Sequence, residues 1–126
     1  MIWIRIGISG KPPIPRFGHS LSISGSNLVM FGGWTNISGI RDKKETVKAN
    51  DPYLMALNTK TFSWEDVQFF GELPPNRYGH SCTTIGSHLL IFGGWEHNRA
   101  TNEVIILRDI NSLHSSAQNS AVQKFD

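Results

Sequence analysis

The chain has 126 residues, of which 39% are hydrophobic and only 17% charged, and its formal net charge is +2. This length fits one domain, and the small charge without a basic tract argues against nucleic-acid binding. No apolar run approaches the roughly 20 residues of a membrane span, and the single cysteine, Cys82, excludes an internal disulfide. At the start of the chain, Arg5 interrupts a short apolar stretch that lacks a cleavage site, so we expect no signal peptide and a cytoplasmic location.

Up to position 67, the pattern predicts four short strands joined by turns. Polar and apolar residues alternate in the first strand, and the second and third are short apolar runs. Residues 25–27 and 58–60 have the composition of tight turns. Gly32 and Gly33 end the second strand, because a residue without a Cβ lets another backbone approach. The predicted strands cover residues 19–24, 28–31, 53–57 and 61–67.

The same pattern returns 61 residues later without a gap. The second copy predicts further strands at 80–85, 89–92 and 103–107, after the proline-rich connector 69–77. Its fourth strand is not predicted, because Phe125 stands where the register requires a tryptophan. The identical pairs include Trp3 and Trp64, Arg16 and Arg77, Gly18-His19-Ser20 and Gly79-His80-Ser81, Gly32 and Gly93, Gly33 and Gly94, and Trp34 and Trp95.

Several short motifs follow one another in a fixed order in both copies. They are Pro13-x-x-Arg16-Phe17-Gly18-His19-Ser20, Phe31-Gly32-Gly33, Asn50-Asp51 and Trp64, then Pro74-x-x-Arg77-Tyr78-Gly79-His80-Ser81, Phe92-Gly93-Gly94 and Asn102-Glu103. In this order the chain resembles kelch-repeat proteins over residues 3–109. The resemblance implies an all-β fold of four-stranded antiparallel kelch blades in an incomplete β-propeller.

The resemblance also predicts how the chain is divided. A propeller typically closes with four to eight blades, so we expect further blades or another chain to complete the ring. The predicted parts are residues 1–15 as the outer strand of a preceding blade and a connector, 16–67 as a complete blade, 68–109 as a connector and the first three strands of a second blade, and 110–126 as a polar, disordered tail.

The repeated residues are predicted to have structural roles. Arg16 and Arg77 are expected to donate hydrogen bonds to backbone carbonyls at the start of each blade. His19 and His80 recur at one repeat position, which favours hydrogen-bonded structural histidines over metal ligands, and Cys82 is expected to act as a small buried hydrophobe. The predicted structural residues are Trp3, Arg16, Gly32, Gly33, Trp64, Arg77, Gly93 and Gly94.

The connections predict where a partner would bind. In an antiparallel blade they alternate between the two ends, so the long segments 35–49, 69–76 and 96–101 gather at one end. Loops on a rigid scaffold often carry binding sites, and in kelch proteins this face is the usual partner site. A solvated loop 35–49 without a partner, and tryptophans that only pack between blades, remain alternatives. The predicted partner-binding residues are Trp34, Arg41, Lys43, Lys44, Lys48, Trp95, Glu96, His97 and Arg99.

No motif for a metal site, a nucleophile or a phosphate loop occurs in the sequence. We therefore expect no catalytic residue, no cofactor and no metal, and the sequence favours a protein-binding scaffold or adaptor whose partner is another protein, not nucleic acid or a membrane. The alternative is a fragment of a kelch-propeller enzyme whose catalytic residues lie outside this segment.

Overall fold

A computed structural model describes residues 1–35 and 52–108 of the chain, which form strands and connecting loops. Within these two ranges, no helix is long and apolar enough to cross a membrane. The predicted all-β class is confirmed. The strands are β1 (Ser20–Ser24), β2 (Asn27–Phe31), β3 (Leu54–Asn58), β4 (Ser63–Asp66), β5 (Ser81–Ile85), β6 (His88–Phe92), β7 (Trp95–Glu96), β8 (Arg99–Ala100) and β9 (Val104–Leu107).

The first sheet contains β1 to β4 in sequence order, and each strand is antiparallel to the next. Gly25 has a φ of 59° in the tight turn between β1 and β2, a conformation that costs a glycine little. Asn58 Oδ1 accepts a hydrogen bond of 2.9 Å from the backbone amide of Lys60. This bond closes the turn between β3 and β4. The predicted strands therefore form with ends shifted by one or two residues.

The second sheet contains β5, β6 and β9 and repeats the register of the first. Ser81 pairs with Phe92 just as Ser20 pairs with Phe31. The segment 96–101, predicted as a loop, is instead mostly a small hairpin of β7 and β8. The two-residue turn between these strands, in which His97 has a φ of 53°, explains the difference, because it reverses the chain tightly enough for pairing.

Residues 1–15, predicted to hold the outer strand of a preceding blade, have no such blade beside them within the described residues. Residues 1–8 belong to no strand, and only Ser9 makes a bridge, to Ser63 at the edge of β4. Trp3 is fully exposed, whereas its repeat equivalent Trp64 is half-buried within β4. The reason is that no strand of the described residues lies beside 1–8 to supply a ladder of hydrogen bonds. Pairing of this segment with a preceding blade stays a prediction.

The hydrophobic core lies between the two sheets. Val29, Phe31 and Leu54 of the first sheet pack with Leu89 and Ile91 of the second. Removing side chains of this kind from water stabilises a fold by about 1.5–3 kcal/mol each. Packing between the sheets is therefore a main source of stability. As predicted, Cys82 acts as a small hydrophobe, although it is half-buried and packs against this cluster from its edge.

Hydrogen bonds between residues at the same or neighbouring repeat positions also join the sheets. The amide of Gly79 donates to the carbonyl of Gly18 at 2.8 Å. His80 Nε2 lies 2.8 Å from Ser20 Oγ. Burial, followed by the charges of Arg77 and His19, lowers the pKa of His80 and outweighs an opposing backbone hydrogen bond. The lowered pKa favours the neutral imidazole, which fits the structural role that the sequence predicted.

Candidate functional site

The end of the sheets that carries the β2–β3 and β4–β5 connections and the β7–β8 hairpin is called the loop face below. Strand order confirms that these connections share one end, because β1 begins beside the end of β2 and β5 begins beside the end of β6. Residues Arg41, Lys43, Lys44 and Lys48 of the predicted binding loop lie outside the described ranges, as does the predicted tail.

Arg77 is buried beneath the loop face, with only 1% of its surface exposed. Its Nη2 donates to Glu103 Oε2 at 3.1 Å and lies 3.7 Å from Glu96 Oε2, and its Nη1 donates to the carbonyl of Gly93 at 3.5 Å. Its own carbonyl accepts the amide of Gly33 from the other sheet at 2.7 Å. A buried charge is tolerated when such partners compensate it. Arg77 thus fixes the hairpin, the start of β9 and the neighbouring sheet together.

Arg16 has a related place in the first sheet. Its Nε donates to the carbonyl of Ile14 at 3.0 Å and its Nη1 to that of Gly32 at 3.1 Å. Arg16 is half-buried, whereas Arg77 is enclosed by both sheets and the hairpin. Both arginines donate to backbone carbonyls, which is the type of contact that the sequence predicted.

Four aromatic side chains, Phe17, Trp34, Tyr78 and Trp95, form a row across the loop face, called the aromatic row. Phe17 and Trp34 exchange backbone hydrogen bonds of 3.1 and 2.8 Å, and Tyr78 and Trp95 do the same at 3.1 and 2.8 Å. The rings of Trp34 and Tyr78 meet edge to face with centroids 5.6 Å apart, which joins the two pairs across the sheet boundary. Phe17, Trp34 and Trp95 are exposed.

The sequence left open whether the tryptophans are exposed for a partner or pack between blades. Trp34 contacts the neighbouring sheet through Tyr78 and is also exposed at the surface. Phe17 and Tyr78 were not among the predicted binding residues, although they occupy one repeat position directly after the two arginines. Recurrence of an aromatic residue at that position was the signal that could have identified them.

The β7–β8 hairpin exposes two of the remaining predicted binding residues and turns the third inward. His97 and Arg99 are exposed at its turn and on β8. Glu96, predicted to bind a partner, has a side chain only 13% exposed and faces Arg77. Its carboxylate is thus directed inward by the hairpin, toward a buried charge. The structure brings Trp34 and Trp95 into one row and sets Glu96 beneath it.

The chain matches a known family of domains. A family model described as the KLHDC2/KLHL20/DRC7 Kelch-repeats domain matches residues 1–123. Tip elongation aberrant protein 1 of Schizosaccharomyces pombe is 34% identical over 107 residues, covering 85% of this chain and 9% of that protein. Host cell factor of Drosophila melanogaster is 30% identical over 130 residues, covering 98% and 9%. An F-box/kelch-repeat protein of Arabidopsis thaliana is 38% identical over 86 residues, covering 68% and 16%. The chain therefore spans less than a fifth of each of these relatives.

Proposed function

The chain belongs to the kelch-repeat family, whose members are generally protein-interaction modules, and we propose that it binds a partner protein through its loop face. In this role it acts as a scaffold or adaptor and catalyses no reaction itself. One of the relatives named above is itself described as a kelch-repeat protein, and the match to the family supports the proposal.

The observation that carries the proposal is the exposure of the aromatic row. Large aromatic side chains dominate the binding energy of many protein interfaces, because they bury much area and lose little conformational entropy. Here Trp34 and Trp95 are held by paired backbone hydrogen bonds, so their positions are set before a partner arrives. A surface fixed in advance costs less to order on binding. The row is therefore suited to be the centre of an interface.

Charged groups at the edge of the row suggest the chemistry of the partner. His97 and Arg99 lie exposed on the hairpin beside Trp95. In the sequence, the 35–49 segment, predicted to dock an acidic partner, also carries several basic residues. Charges at the rim of an interface mainly accelerate association and select partners. We propose an acidic surface on the partner that meets the row with apolar side chains.

Substitution of the tryptophans tests this interface. A partner captured from cell extract by the tagged chain is titrated with the wild type, Trp34→Ala and Trp95→Ala. Hot-spot residues contribute at least about 2 kcal/mol, so we expect the dissociation constant to rise about 30-fold or more in each variant. Isothermal titration calorimetry gives the constants, and circular dichroism verifies that each variant keeps its β structure.

Trp3→Ala is the matched control, because Trp3 is fully exposed, belongs to no strand and takes part in none of the contacts that form the row. Its dissociation constant is expected to equal that of the wild type. Wild-type affinity in both Trp34→Ala and Trp95→Ala would contradict binding through the aromatic row.

A further inference from the structure

The imidazole of His80 lies at the boundary between the two sheets and is enclosed by both of them. Its Nε2 lies 2.8 Å from Ser20 Oγ, and its ring meets the ring of Phe31 edge to face with centroids 5.3 Å apart. A Cβ at Gly32 would come 2.6 Å from His80 Cε1, and a Cβ at Gly94 would come 2.9 Å from His80 Cβ. The ring therefore fills its space completely, and it cannot be displaced unless the sheets move apart.

The second ring nitrogen of His80 is buried without a hydrogen-bond partner. Within residues 1–35 and 52–108, no group bonds to Nδ1. A neutral imidazole can leave this nitrogen without a hydrogen, whereas a protonated imidazole carries a hydrogen on both nitrogens. Protonation would thus create a buried donor without an acceptor, which is costly. The boundary is built for the neutral ring.

Positive charges near His80 add to this preference. Burial is the main cause that lowers the pKa of His80, and the charges of Arg77 and His19 follow. The backbone of Phe31 favours the protonated ring, but the other causes outweigh it. A proton on His80 would therefore place a further positive charge beside Arg77, in a region from which water is largely excluded.

The other titratable groups around His80 do not compensate such a charge. Glu96 and Glu103 face Arg77, at 3.7 and 3.1 Å from its Nη2. Within the described part of the chain, no carboxylate contributes to the pKa shift of His80. Tyr53 packs against Phe31 at the same boundary, and burial raises its pKa, so its hydroxyl stays neutral in the range in which histidine titrates.

The aromatic row crosses the same boundary two residues before His80. Trp34 belongs to the side of the first sheet, and its ring meets that of Tyr78 at 5.6 Å. Tyr78 also exchanges backbone hydrogen bonds with Trp95, and both of these residues belong to the side of the second sheet. Separation of the sheets at His80 would therefore break the contact between Trp34 and Tyr78 and leave that between Tyr78 and Trp95 intact.

We propose that His80 makes the aromatic row sensitive to pH, because protonation of its ring opens the boundary between the sheets and separates Trp34 from Tyr78. A histidine in an unfolded chain has a pKa of about 6.5. Since the pKa is lowered in the closed state, the stabilisation is fully present above about pH 6.5 and is lost as the pH falls below that value. Weaker partner binding in acid would follow, and this consequence alone rests on the proposed function.

Nuclear magnetic resonance of the full chain without a partner tests the opening by itself. We expect a nuclear Overhauser effect between the rings of Trp34 and Tyr78 at about pH 7.5 and its loss at about pH 5.5, on either side of the ordinary histidine pKa. Amide contacts between β5 and β6 should persist at both values, which distinguishes opening of the boundary from unfolding of the sheet. His80→Gln, which takes up no proton, should keep the contact between the rings at both values.

His19→Gln is the matched control, because His19 is the repeat equivalent of His80 but is exposed, and it should lose the contact in acid as the wild type does. Urea denaturation adds a quantity. Below about pH 6.5, the folding equilibrium constant of the wild type should fall relative to that of His80→Gln by up to about tenfold for each pH unit, since one proton is taken up.

Two results would overturn the proposal. One is a contact between Trp34 and Tyr78 that persists in the wild type after His80 has been protonated, and the other is an equal loss of the contact in His80→Gln. If His80→Gln does not fold, the wild type decides. The contact must then disappear with the same midpoint as the chemical shift of the hydrogen on His80 Cε1, and separate midpoints contradict the proposal.

Discussion

Replacing Gly32 by alanine is expected to lower the free energy of unfolding by about 2–5 kcal/mol. The glycine has a φ of 75°, and an alanine in this left-handed region costs about 1–2 kcal/mol. The added Cβ would also strike the carbonyl of Arg77 and the ring of His80, and overpacking of this kind costs about 1–3 kcal/mol. The two sheets would have to separate to admit the methyl group. Urea denaturation followed by circular dichroism measures the loss.

Gly93→Ala is the matched control, because Gly93 is the repeat equivalent of Gly32 and has nearly the same φ, 69°. Its new Cβ would meet only the Thr101 carbonyl, at 3.3 Å, which is a milder contact than the overlap at Gly32, so a loss little above the backbone term of about 1–2 kcal/mol is expected. The difference between the two variants, measured on monomeric protein, reports the close approach of the two sheets. Equal losses in both would show that Gly32 is not pressed against the second sheet.

Replacing Arg77 by alanine is expected to destabilise the chain by about 3 kcal/mol. Removing one partner of a buried ion pair costs about 3–5 kcal/mol, because the remaining groups stay desolvated. The lower end applies here, since the Glu103 side chain is 53% exposed and water can reach it. Glu96, at 13%, and the Gly93 carbonyl would be left without compensation. The change in the urea midpoint at constant slope gives the value.

Alanine variants of two further arginines provide stability losses with which the loss in Arg77→Ala can be compared. Arg99 is exposed on the hairpin, and its replacement by alanine should alter stability by no more than about 0.5 kcal/mol. Arg16 is half-buried and should give an intermediate loss. Arg77→Lys should recover only part of the stability, because an ammonium group cannot reproduce the forked contacts to a carboxylate and a carbonyl. An Arg77→Ala variant as stable as Arg99→Ala would refute the anchoring role.

Most strands could be predicted from the sequence because their patterns are local. Alternation in β1 and β5, the turn residues around Gly25, and the double glycines mark strand ends to within one or two residues. The hairpin of β7 and β8 escaped prediction, because strands of two residues are too short to show a period. The strand predicted around Trp3 stays a prediction, since a strand depends on a neighbour that the local pattern does not reveal.

The candidate site was less predictable, because it depends on which side chains meet after folding. The tryptophans were identifiable from their repeat position, but the contact between Trp34 and Tyr78 crosses from one sheet to the other. Glu96 was predicted to face a partner because it lies in a polar segment. The hairpin instead turns it toward Arg77, a residue 19 positions earlier in the chain. Such a reversal is set by tertiary packing, which a short polar motif does not encode.

Site-specific photo-cross-linking tests the central claim, that the aromatic row binds the partner protein, most directly. Benzoylphenylalanine at position 34 would place the reactive group in the row, and the same residue at position 3 would place it in the exposed segment before β1. After irradiation of each complex, we predict a covalent adduct with the partner from position 34 and none from position 3. An adduct from position 3 together with none from position 34 would contradict binding at the loop face.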